Sequence, residues 1–194
     1  MKKRITMLVA GMLMLSGTSM AQDYYHGGGG AVNYAIYSLS YSSPTENYSG
    51  TSGAAVPGIF YKATLGLTDN FAISAYPFIG FAGSANSRTG GSGSFGVELP
   101  INAELWLGSM DDGAFFLGGG FNMAFMATSG YGGGSIVGPQ FALGGQFTIQ
   151  DRLVGIRVGY THGINSTKID DSTITISKDK KFMLGFGAYY QFGY

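Results

Sequence analysis

Lys181-Phe182-Met183-Leu184-Gly185-Phe186-Gly187-Ala188-Tyr189-Tyr190-Gln191-Phe192-Gly193-Tyr194 has a period of two. Its even positions are Phe, Leu, Phe, Ala, Tyr, Phe and Tyr; its odd positions from Met183 on are Met, Gly, Gly, Tyr, Gln and Gly. Successive side chains of a strand point to opposite faces, so this pattern predicts a strand with one large apolar face and one mostly small face. The stretch ends on an aromatic residue with no polar tail. It reads as the strand that closes a barrel, and the preceding chain tests that reading.

Composition narrows what such a barrel faces. Only 11% of the 194 residues are charged, against 14% aromatic and 34 glycines. Soluble domains carry about 25% charged residues, so the surface implied here is poorly suited to water, while the aromatic content excludes a disordered chain. Lys2, Lys3 and Arg4 precede the uncharged apolar run Ile5 to Leu15, and Ser19-Met20-Ala21 supplies small residues beyond it. Residues 1–21 are therefore expected to be a cleaved signal peptide, with an apolar run too short to span a bilayer. Those residues hold three of the 11 basic side chains and none of the 11 acidic ones, so the remainder has 8 basic against 11 acidic, a net charge of −3. No basic patch points to nucleic acid, and with no cysteine the exported chain must be stable without disulfides. No segment after residue 21 is apolar for the ~18 residues that a spanning helix needs. In lipid the backbone must satisfy its own hydrogen bonds, which leaves a closed barrel.

The chain then divides into strands. Residues 22–30 are expected to be a flexible lead-in, and 31–194 the barrel domain. Ala31 to Tyr41 is strand-like, but Tyr34 and Ile36 point one way while Tyr37, Leu39 and Tyr41 point the other, which a β-bulge near Ile36 would reconcile. Ile59 to Leu67, Phe71 to Phe81, Phe95 to Leu107, a strand from Phe115 to Phe125, one around Phe141 to Ile149, one around Val154 to Ile164, and the closing stretch follow. Pro77 breaks the third strand's ladder. Short turns at Asp69, Asp112 and Asp151 alternate with long polar connections at 42–57, 83–94, 129–138 and 165–180.

The fold class is thus all-β: an eight-stranded antiparallel up-and-down transmembrane β-barrel with short periplasmic turns and long extracellular loops. About ten residues per strand, tilted about 40°, cover the ~25 Å apolar band of such barrels. Aromatic residues stand at both rims, as interfacial girdles do: Phe71, Phe115, Phe147, Phe192 and Tyr194 near the turns, and Phe81, Phe95, Phe125, Phe141, Tyr160 and Phe182 near the loops. A lipocalin-like soluble barrel would put Lys and Glu on the smaller face; here that face is mostly Gly, Ser, Thr, Ala, Asn and Gln.

On this pattern, and on the terminal Tyr190-x-Phe192-x-Tyr194, the chain resembles the small outer-membrane β-barrels represented by the membrane domain of OmpA and by OmpX. The resemblance covers everything after the signal peptide. It implies a monomer in the outer membrane of a Gram-negative bacterium, surrounded by lipid. Tyr190, Phe192 and Tyr194 would be the signal read by the barrel-assembly machinery; the last residue is Tyr where Phe is commoner.

Inward charges are few: Lys62, Glu98, Glu104 and Arg157. Buried charges are costly unless paired, so these four are expected to form an ion-pair network that blocks the lumen, with Glu104 and Arg157 the first pair by height above the turns. The alternative is a narrow path for ions or small apolar compounds. Some eight-stranded barrels deacylate lipid A from an outward Ser/His site; here His162 and Ser166 lack that family's adjacent His-x-Ser spacing and a carboxylate, so no enzyme is expected. Gly91-x-Gly93-x-x-Gly96 matches a dinucleotide fingerprint but precedes a strand, and two distant histidines without cysteine make no metal site. No cofactor is implied. Tyr48, Arg88, Tyr131 and Lys168-Ile169-Asp170-Asp171 are the loop residues offered to an extracellular ligand.

Overall fold

The computed structural model describes residues 23–84, 92–110, 113–128, 132–150, 152–165, 167–171 and 174–193. The strands are β1 (Asp23–Ser42), β2 (Asn47–Thr68), β3 (Phe71–Ala75), β4 (Phe78–Ser84), β5 (Ser92–Ser109), β6 (Gly113–Thr128), β7 (Gly132–Ile149), β8 (Arg152–Gly163), β9 (Thr167–Asp171) and β10 (Ile174–Gly193). All pairings are antiparallel, and β1 pairs with both β2 and β10, so the sheet closes on itself. The strands β3 and β4 share one place in the ring, between β2 and β5, and among the described residues β9 pairs with β10 alone. Eight places result, and the closing strand is the one expected.

Alternation sets the faces. Along β5, Val97, Leu99, Ile101, Leu105 and Leu107 are exposed, while Glu98, Asn102, Glu104 and Trp106 are buried in the lumen. The same parity exposes Phe115, Leu117 and Phe121 on β6, Phe141 and Leu143 on β7, and Ile156 on β8. Leu107 is 60% and Phe141 64% exposed, and such residues adjoin one another around the ring. A continuous apolar exterior of this kind fits lipid and not water.

Three expectations are corrected. Asp23 to Gly30 is no flexible lead-in: it is the first part of β1, paired with Ala63 to Gly66 and its neighbours on β2 and, from His26, with β10. A run of glycines has no side-chain alternation to read, but its backbone pairs like any other. The irregularity sought near Ile36 falls between Tyr37 and Leu39, and the extra residue is on β10. The long connections, finally, are largely paired chain. Strands β1 and β2 run together from Tyr41↔Tyr48 and Ser42↔Asn47 downward, leaving only residues 43–46 between them, because ladder pairing needs no apolar side chain to continue beyond the lipid. At the turn end, Gly108 (φ 119°) and Gly113 (φ 152°) take backbone conformations open to glycine, next to Met110.

Pro77 interrupts the strand as expected, and the break is short. Tyr61 N–H donates to Pro77 O at 3.0 Å and Tyr76 N–H to Pro100 O at 3.1 Å, so both flanking strands stay attached. Parity survives the break: Tyr76 and Phe78 face the lumen and Ile79 and Phe81 face out.

Candidate functional site

The inward faces of the ring bring the four expected charges into one column. Nearest the turns, Lys62 Nζ donates to Gln146 Oε1 at 3.2 Å and to the Tyr189 hydroxyl at 3.3 Å. The ammonium stands 4.4 Å from the Tyr189 ring centre and 5.1 Å from that of Trp106, a two-sided cation–π arrangement. Tyr189 donates in turn to Gln146 Oε1 at 3.2 Å, and Gln146 Nε2 donates to the Met110 carbonyl. Met110, Trp106, Phe116, Tyr25, Ala72, Ala114 and Ala142 pack into an apolar plug below.

At mid-height Glu104 accepts from Ser74 Oγ and the Tyr76 hydroxyl, both at 2.7 Å, and Ser74 is bonded to Thr64 at 2.9 Å. The face of Tyr76 carries the Arg157 guanidinium, 4.3 Å from the ring centre. Arg157 Nη2 donates to Gln140 Oε1 at 3.0 Å, and Gln140 Nε2 to Thr161 Oγ1 at 3.3 Å. Above, Glu98 accepts from Asn33 Nδ2 and, at 2.8 Å, from Asn122 Nδ2, which also reaches Thr161 Oγ1 at 2.9 Å.

Glu98, Glu104 and Arg157 thus meet through neutral side chains, while Lys62 is held by Gln146 and Tyr189; among the described residues no two of the four make a direct ion pair. The anticipated Glu104–Arg157 contact has Tyr76 inserted in it. The space left between Asn33, Phe60, Tyr76, Phe78, Glu98 and Arg157 is about 10 Å³. That is room for about one water, and Arg157 Nε, which has no protein partner, belongs to a residue of its wall. A second apolar group, Ala35, Val56, Phe78, Met126, Ile136 and Met183 among it, fills the outer half of the lumen.

No known family's sequence pattern matches the chain, and no curated protein does. Solved structures do. The outer membrane protein OprG from Pseudomonas aeruginosa superposes with a TM-score of 0.61 at 13% identity, over 90% of this chain and 98% of OprG. The outer membrane protein AlkL, solved by solid-state NMR in DMPC bilayers, gives 0.53 at 14% identity, over 89% of this chain and 91% of AlkL. The chain has the fold of the small outer-membrane β-barrels.

In this barrel the other sequence candidates are dispersed. His162 faces outward, with Nδ1 3.2 Å from the Tyr160 hydroxyl, and Ser166 lies outside the described residues. Tyr190 and Phe192 face outward near the turn end; Tyr194, Arg88 and Tyr131 lie outside the described residues, as does the signal peptide. Tyr48 is 62% exposed on the outer part of β2, and Lys168 to Asp171 belong to β9. Sequence reasoning missed three lumen residues. Lys181, 1% exposed with Nζ 3.1 Å from the Ser135 carbonyl, continues the odd parity of Met183 and Gly185 by one step. Asn33 needed the phase of β1. Tyr76 precedes a proline and sits in an aromatic-rich stretch, where an inward ring cannot be told from an outward one by composition.

Proposed function

We propose that this protein is an integral outer-membrane barrel, closed to solutes, that serves the envelope structurally and presents its outer hairpins to a surface partner. The observation that carries this reading is the lumen: charged groups, their neutral linkers and two apolar layers pack it among the described residues, and the space between Asn33, Tyr76, Glu98 and Arg157 is about 10 Å³. A hydrated ion needs a continuous passage far wider than one water. The barrel is read as a monomer in lipid, exported by the segment 1–21, with Tyr190, Phe192 and Tyr194 presented to the assembly machinery and no cofactor or catalytic site. Planar-bilayer recordings test closure. Neither the wild type nor Glu104→Ala is expected to give discrete conductance steps; steps in the wild type that the substitution alters would replace closure with an ion path. Placement is tested by fractionation together with heat-modifiable gel mobility, and a soluble periplasmic protein would end this reading.

Transport of small apolar compounds is the second reading, and the break at Tyr76-Pro77 is what favours it. The hydrogen bonds from Tyr61 to Pro77 and from Tyr76 to Pro100 argue against a wide gap there.

A further inference from the structure

Six outward aromatic and basic groups gather where the barrel closes. Tyr24 and His26 on β1 stack at 5.8 Å; His26 meets the edge of Phe192 at 4.9 Å; Tyr61 lies 6.2 Å from His26 and 6.4 Å from Phe192. Tyr190 adjoins Phe192 at 6.3 Å and carries Arg152 over its ring at 5.7 Å. An aromatic girdle alone would account for rings at this rim, but not for their register. The β1–β10 ladder steps from His26↔Gly193 to Gly27↔Gln191, which leaves Phe192 as the extra residue of a bulge. Bulges re-aim a side chain. Here the ring lies against Gly28: a Cβ built there would stand 3.5 Å from Phe192 Cε1 and 3.8 Å from Cζ. Gly28 is itself registered between Tyr190 on one side and Tyr61 on the other, so it forms the floor of a notch with aromatic walls. Two residues along, outward Gly30 has only Gly58 O within reach, at 3.9 Å.

We propose that Gly28 and His26 form a receptor notch for the Phe192 ring, and that seating the bulged ring in it completes closure of the barrel between first and last strands. The proposal rests on the reading of Tyr190, Phe192 and Tyr194 as the assembly signal and deepens it. An alanine at Gly28 makes ordinary contact with the ring, whereas the branched methyls of valine occupy its place.

The test uses the full chain refolded from urea into vesicles of didecanoyl phosphatidylcholine, where no machinery is present, with the heat-modifiable band as the measure of closure. Gly28→Val is expected to slow closure about tenfold, in the range set by overpacking, while Gly30→Val stays within about twofold because strand propensity favours valine at both places. Phe192→Ala is expected to slow closure as Gly28→Val does, and Phe147→Ala, which removes a ring from the same rim away from the seam, is expected to leave it unchanged. The double variant Gly28→Val/Phe192→Ala is expected to be no slower than either single one, since two partners in one contact couple. Equal rates for the two glycine variants, or additive slowing in the double, overturns the notch. If Gly28→Val yields no folded band, the comparison of Phe192→Ala with Phe147→Ala decides in the same sense. Insertion in cells separates the two readings: Phe192→Ala that closes normally in vesicles yet fails to insert in cells overturns the notch and leaves the signal standing. Slowed closure in vesicles with normal insertion does the reverse.

Discussion

Arg157 stacks its guanidinium 4.3 Å from the centre of the Tyr76 ring, and the hydroxyl of that ring donates to Glu104 Oε1 at 2.7 Å. One aromatic side chain therefore serves a cation through its face and an anion through its edge. The arrangement spares the lumen a bare ion pair, whose desolvation would have to be offset by geometry alone. It also makes Tyr76 the residue on which the mid-height layer depends.

Tyr76→Phe keeps the ring under Arg157 and removes one of the two hydroxyl donors to Glu104, the other being Ser74. The expected cost is about 1–3 kcal/mol, the range for weakening the solvation of a buried charged acceptor. Tyr76→Leu also strips the cation–π contact and should cost more. The urea midpoint of the refolded barrel in vesicles measures both; a Phe variant as stable as the wild type would mean that Ser74 alone suffices for Glu104.

Glu98 is held by amides from two other strands, Asn33 on β1 and Asn122 on β6. Glu98→Ala leaves the Asn33 amide facing a small cavity, whereas Asn122 Nδ2 retains Thr161. A loss of about 1–3 kcal/mol is expected for the stranded donor, and Glu98→Gln, which keeps an acceptor oxygen, should recover a good part of it. An alanine variant no weaker than the glutamine variant would show that water replaces the carboxylate.

Lys62 behaves differently because its partners are neutral. When Lys62 is removed, Gln146 Oε1 still accepts from Tyr189 at 3.2 Å, so nothing buried is left without a partner. Lys62→Met fills much of the same volume between Trp106 and Tyr189, and it removes a buried charge whose desolvation no direct ion pair offsets. The expected change in stability lies within about 1 kcal/mol of zero or on the favourable side, against a clear loss for Glu104→Ala. Equal losses would mean that Lys62 and Glu104 stabilise each other more than the side chains between them suggest.

The contrast between these residues marks how far the amino-acid pattern reaches. The parity of Phe95 to Leu107 sends Glu98 and Glu104 inward and Leu99 and Leu105 outward, and the structure keeps both assignments. Strand number and the closing strand follow from the same local rule. Whether two inward charges touch is another matter: it depends on what stands between them across the lumen, and Tyr76, in the break between β3 and β4, and Gln140, on β7, are far from Glu104 in sequence. Gly27 to Gly30 shows the second limit. A glycine run has no faces, so its place in the barrel is decided by ladder partners on β2 and β10 that no local pattern records.

Asn165 supplies a prediction about the upper end of the β7–β8 seam. Beyond the last bond of that seam, Ile164 N–H to Val137 O at 2.9 Å, the Asn165 side chain takes over. It accepts from Val137 N–H at 2.8 Å and donates to Ser135 O and Oγ at 3.0 Å. Asn165→Ala should expose the Val137 amide to water, speeding its hydrogen exchange about tenfold for each ~1.4 kcal/mol of local opening energy lost. Asn165→Asp keeps the acceptor for Val137 and gives up the two donations to Ser135, so it should leave Val137 protected. Unchanged exchange at Val137 in the alanine variant would place its protection elsewhere.

Gln150 offers a gain in stability. Its φ of 51° puts it in the left-handed region, in the turn between β7 and β8. For residues with a Cβ that conformation costs about 1–2 kcal/mol, which glycine does not incur. Glycine is also freer in the unfolded chain and gives back part of the difference. Gln150→Gly is therefore expected to raise stability by about 0.5–1 kcal/mol, and Gln150→Val, β-branched and worse suited to positive φ, to lower it by more than that. Both are read from the urea midpoint with the heat-modifiable band as the folded signal. The turn lies at the end of the barrel away from the Glu98 layer, so neither substitution should change the bilayer recordings. If the valine variant matched the glycine one, the turn would have to relax out of the left-handed region at no cost, and the strain assigned to Gln150 would not exist.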